Sequence, residues 1–64
     1  MNWSLIIKTV RNKLFITQTE LAEKIDVSFA SVNRWEQGHR EPTMKAKRKL
    51  AQLCHEHNID MEAL

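Results

Sequence analysis

The chain has 64 residues, of which 42% are apolar and 28% charged, and its formal net charge is +2. These values fit one small globular domain and exclude a disordered chain or several domains. One Gly and one Pro are too few for a β-sandwich or barrel, which needs a turn every 8 to 12 residues or so, and an all-α fold is expected.

The first predicted helix runs from Trp3 to Lys13, with Ile6, Ile7, Val10 and Leu14 on one apolar face. The second starts at Thr17. Thr17-Gln18-Thr19-Glu20 fits a capping box, in which the threonine hydroxyl accepts an amide and the glutamate reaches back. Leu21, Ala22 and Ile25 form its buried stripe, and Asp26 ends it because Asp tolerates the left-handed conformation. Ser28 caps a third helix that buries Val32 and Trp35 and stops at Gly38. The short link between helices two and three has helix-turn-helix length. Pro42 breaks the next loop, and Thr43 caps a fourth helix with the stripe Ala46, Leu50, Leu53. Asn58 is a further cap residue, and Asp60 starts a last turn through Leu64.

With these elements in place, the segment Gln18–Gln37 resembles the helix-turn-helix of the phage-repressor (Cro-type, Xre) family. Leu21, Ala22, Ile25, Val27, Val32 and Trp35 stand at the family's apolar positions, with Ala22 as the small residue where the helices cross. Trp35-Glu36-Gln37-Gly38 followed by Pro42 resembles the family's ending, and Ile7, Val10 and Arg11 resemble its first helix. The resemblance covers about Ile7 to Leu53. It implies a compact four- to five-helix bundle of the lambda-repressor-like DNA-binding type. Three departures stand out. Asp26 and Phe15 replace glycines, and Lys47 and Arg48 replace leucines. Phe15 at positive φ costs about 1–2 kcal/mol, so the turn between helices one and two is expected to be rebuilt.

Advancing about 100° per residue from Val32 and Trp35 points Ala30, Asn33, Arg34 and Gln37 away from the core, with Phe29 at the border. This is the chemistry of a major-groove reader: Arg34 for a guanine, Phe29 and Ala30 for thymine methyls, and Asn33 for a base edge or a phosphate. A core gap is the alternative place for Phe29. The resemblance implies that Gln18 bonds a phosphate and braces the reading helix. It also places His39 and Arg40 against the DNA backbone and pairs Arg11 with Glu36 as a structural ion pair. Ser28 is available to cap its helix, bond phosphate, or both, and Gln37 joins the phosphate contacts.

Lys45, Lys47, Arg48 and Lys49 oppose the dipole of the fourth helix, and a solvated face is the expected role, with phosphate contact as the alternative. A zinc site needs roughly three or four ligands; Cys54, His55 and His57 do not complete one, and no metal or other cofactor is expected. No phosphate loop, nucleophile triad or carboxylate pair points to catalysis. A chain this short is expected to lack a pocket of about 300 Å3, so no small-molecule ligand is expected. Trp3 is expected to lid the core, and Ile59, Met61 and Leu64 to complete it, with a dimer patch as the alternative. The apolar run at Leu5–Ile7 is far too short for a signal peptide or membrane span, so a cytoplasmic protein without membrane contact is expected. The leading function is sequence-specific binding of double-stranded DNA by a bacterial or phage regulator of the repressor kind, with two protomers on a symmetric site. The alternative is a protein-interaction module, such as an antitoxin-like partner or an anti-repressor, that keeps the fold.

Overall fold

The computed structural model describes residues 2–63. Helices α1 (Trp3–Leu14), α2 (Gln18–Lys24), α3 (Phe29–Glu36) and α4 (Met44–Glu56) follow one another, and a 3-10 turn at Met61–Ala63 comes last. No strand occurs among the described residues. Leu64 lies outside them.

Local chemistry starts and stops each helix. Asn2, Thr17, Ser28 and Thr43 sit in extended backbone and accept the amides of Leu5, Glu20, Ser31 and Ala46. Each cap satisfies a donor that the first helical turn leaves free. The Glu20 carboxylate in turn accepts the Thr17 backbone amide, which completes the capping box. This bond with the Thr17 backbone holds the Glu20 carboxyl below its ordinary value.

The four ends also share one design. Phe15, Asp26, Gly38 and Asn58 take φ of 56°, 58°, 79° and 57°. Beyond each, an amide reaches back across the last turn: Ile16 to the Arg11 carbonyl at 3.1 Å, Val27 to Ala22 at 2.9 Å, His39 to Arg34 at 3.2 Å, and Ile59 to Cys54 at 2.8 Å. This is the Schellman arrangement, in which a left-handed residue lets the chain satisfy otherwise orphaned carbonyls. Ile16, Val27 and Ile59 also pack against the core, so the residue that closes the helix anchors the following loop.

Phe15 corrects the expectation of a rebuilt turn. The turn keeps its left-handed residue, and the phenylalanine occupies it with 94% of its surface exposed. The two bonds made there, Phe15 amide to Asn12 carbonyl and Ile16 amide to Arg11 carbonyl, together with the partial burial of Ile16 against the core, hold the strained geometry.

The core takes Ile6, Ile7 and Val10 from α1, Leu21 and Ala22 from α2, and Ile25 from its end. Val32 and Trp35 come from α3, and Ala46, Leu50, Leu53 and Cys54 from α4. Trp3, Ile59 and Met61 are half-buried against it. α3 packs against both α1 and α2. Ala22, only 3% exposed, lies inside this packing, where its single methyl permits close approach of the helices. One face of α3 is thereby fixed, and its opposite face is left outward.

Candidate nucleic-acid interface

The outward face of α3 begins just after its cap. The Ser28 hydroxyl accepts the Ser31 amide at 3.1 Å and lies 3.0 Å from the Ser31 hydroxyl. Phe29 is 51% exposed, so it does not fill a core gap. Ala30, Arg34 and Gln37 are exposed as well, and Asn33 is half-buried. Arg34 makes no ion pair among the described residues. Its guanidinium is therefore available, with a fork of donors suited to a guanine edge or a phosphate.

Asn33 is more constrained than its neighbours. Its side-chain carbonyl accepts long hydrogen bonds from the Gln18 amide at 3.4 Å and the Gln37 amide at 3.5 Å. The start of α2 and the end of α3 thus converge on one side chain. The Asn33 carbonyl is occupied, and the NH2 group is the part left to face an acceptor.

Beneath this surface, Arg11 of α1 and Glu36 of α3 form a forked ion pair. Arg11 Nε lies 2.5 Å from Glu36 Oε2, and an Arg11 Nη donates to Oε1 at 2.9 Å. A third bond goes to the Ile16 carbonyl at 3.3 Å. Glu36 is 5% exposed. Burial pushes its carboxyl upward, but the bonds from Arg11, the nearby Gln18 amide and the charges of Arg11 and Lys8 outweigh burial and hold it below the ordinary carboxylate value. The bond to Glu36 in turn raises the Arg11 guanidinium, against a lowering by burial. The Ser4 hydroxyl donates to the Glu36 backbone carbonyl, a second link from α1 to the end of α3.

The basic run of α4 is divided: Lys45 and Arg48 keep the expected solvated position, while Lys47 and Lys49 are half-buried and paired. Lys47 pairs with Glu41 and lies 5.2 Å from the centre of the Trp3 ring, within cation–π reach. This contact with Lys47 holds the Glu41 carboxyl below its ordinary value. Lys49 lies 3.6 Å from Asp26, the left-handed residue of the helix-turn-helix. Lys45 and Arg48 stay exposed and make no ion pair among the described residues. Two members of the run therefore tether α4 to neighbouring loops. Spacing along α4 alone does not show these tethers, because their partners come from other elements.

His39 and Arg40 are exposed in the loop after α3. Cys54 is buried, which pushes its thiol up, whereas His55 and His57 are exposed. No group of three metal-ligating side chains gathers among the described residues. Among the described residues, no helix is long and apolar enough to cross a membrane.

Two open concavities in the described surface exceed the volume expected of so short a chain. One of about 460 Å3 lies between Trp3, Trp35, Arg40 and Glu41. The other, about 470 Å3, lies between Phe15, Gln18, Thr19 and Phe29, beside Arg11. Both are grooves in the surface and not enclosed cavities, which explains how so short a chain forms them. The second opens where α2 and α3 both begin.

A family model described as Helix-turn-helix matches residues 7–57. No curated protein and no solved structure matches the chain. The matched residues run from the core position Ile7 to the end of α4 and include both helices of the α2–α3 unit. The chain therefore belongs to the phage-repressor-type (Cro-type, Xre) family of DNA-binding helix-turn-helix domains.

Proposed function

We propose that this domain is a transcriptional regulator of the repressor kind, acting in the cytoplasm, that binds double-stranded DNA by laying α3 in the major groove. The exposed face of α3 is the observation that carries this reading. Phe29, Ala30, Asn33 and Arg34 meet base edges: Arg34 donates to guanine O6 and N7, Phe29 and Ala30 meet thymine methyls, and the Asn33 NH2 faces a base acceptor or a phosphate. Gln18, Ser28, Gln37, His39 and Arg40 set the register on the phosphates. Arg11 and Glu36 touch no DNA. They lock the end of α3 to α1, so the reading helix meets the groove as a rigid element.

The dimensions are compatible with two protomers on one face of the duplex. The molecule measures 26 Å along its longest axis, and half-sites one turn apart are separated by about 34 Å. Two copies therefore fit side by side, with the end of α3 and the following loop toward the two-fold axis.

Selection from a randomised duplex pool at near-physiological salt tests the proposal. It predicts recovery of a two-fold site with a G·C pair in each half. If no sequence is enriched and mixed-sequence duplex is not bound, DNA reading is wrong. The fold then serves a protein partner, as in an antitoxin-like or anti-repressor module.

A further inference from the structure

Phe15 has no role in the reading so far, and local stability does not account for it. The residue is 94% exposed, and its backbone occupies a left-handed conformation that glycine adopts without strain. Phe15 and Phe29 line the same groove, one from the α1–α2 turn and the other from the first turn of α3. Gln18 and Thr19 line it between them, and Arg11 is the only charged residue on it. Among the described residues, no carboxylate lines the groove. Its surface thus combines amide and hydroxyl groups with two aromatic faces, which suits a chain of alternating phosphates and sugars. The groove is also continuous with the outward face of α3, because Phe29 belongs to both.

We propose that Phe15 is a DNA contact residue whose ring packs against a deoxyribose of the strand that passes Gln18. This rests on the DNA-binding reading above and extends the interface to the α1–α2 corner. The contact is apolar and binds no phosphate, so it adds affinity without releasing counterions.

The test uses a fluorescent duplex recovered by the pool selection, with mixed-sequence duplex if none is recovered. Phe15→Ala keeps a side-chain carbon and restricts the backbone, and Phe15→Gly relieves the strain. Both are expected to bind about tenfold more weakly, the scale of losing one partly buried aromatic contact. The slope of log affinity against log salt should stay that of the wild type. Hydroxyl-radical footprinting should lose protection at one flanking sugar per half-site, while the melting temperature does not fall. Affinity within twofold of wild type for both variants overturns the proposal and leaves the DNA-binding reading standing. A parallel loss of salt dependence overturns it in favour of a phosphate contact. Unchanged DNA affinity with loss of self-association in sedimentation assigns the ring to a second copy of this chain. Absence of any duplex binding by the wild type removes both readings together.

Discussion

Replacing Phe15 with glycine should make the domain more stable, although it deletes the largest side chain of the α1–α2 turn. The left-handed backbone costs an L-residue about 1–2 kcal/mol, and φ of 56° and ψ of 44° place Phe15 in that region. Glycine removes this cost but gives the unfolded chain extra freedom, worth about 0.5–1 kcal/mol in the other direction. With 94% of the residue exposed, losing the ring forfeits only about 0.1–0.2 kcal/mol of burial. At the midpoints of these contributions the balance is a gain of about 0.6 kcal/mol. In a domain of this size it raises the melting temperature by roughly 2–5 °C. Phe15→Ala keeps the strained Cβ and is the control, expected within about 0.5 kcal/mol of wild type. Thermal and urea unfolding followed by circular dichroism reads both variants, and an unchanged urea slope confirms a comparison between like states. If Phe15→Gly is no more stable than Phe15→Ala, strain at this turn is not what the geometry says it is.

Other predictions address the buried pair and the reading face. Arg11→Met leaves the Glu36 carboxylate in the interior without its main partner. Because the Arg11 side chain is 22% exposed, the loss should lie at the lower end for a broken buried pair, about 2–3 kcal/mol. Urea unfolding measures it, and adding Glu36→Leu should restore part of the loss. Acid should weaken the wild type through the same pair. The folded-state value of Glu36 is lowered, so in the window below roughly pH 5 the unfolded chain binds more protons. The stability from this group is complete above that range and is lost as pH falls through the folded value. In Arg11→Met, burial dominates and this contribution changes sign, which urea midpoints across the acid range will show. Arg34→Ala should lower affinity for the selected duplex by about five- to one-hundred-fold and relax discrimination at the guanine. Its thermal unfolding should stay within about 0.5 kcal/mol of wild type, because Arg34 is exposed.

Much of this fold is written locally. Thr17, Ser28 and Thr43 are readable as caps because one side-chain oxygen bonds an amide three residues on, a relation contained within a single turn. Asp26, Gly38 and Asn58 are readable as stops for the same reason. The apolar stripes of α2, α3 and α4 follow from helical period alone. The conformation of Phe15 is not legible in the same way, because the local preference against it is overridden by bonds and packing that only the folded chain supplies. The pairings of Lys47 with Glu41 and Trp3, and of Lys49 with Asp26, were illegible because surface lysines carry no sign of which distant loop they will meet. The exposed arc of α3 was predictable from two buried neighbours. The Gln18–Asn33–Gln37 amide contacts were not, since they depend on how α2 approaches α3.

The central claim is that the outward face of α3 and the start of α2 meet DNA. A residue-resolved NMR titration of the isotope-labelled domain with the selected duplex tests it most directly. The account predicts the largest shifts at Gln18, Phe29, Ala30, Asn33 and Arg34, followed by Gln37 and Arg40, while the core residues Ile7 and Leu50 move little. Shifts confined to Leu5, Met44 and the outer face of α4, with α3 silent, would contradict it.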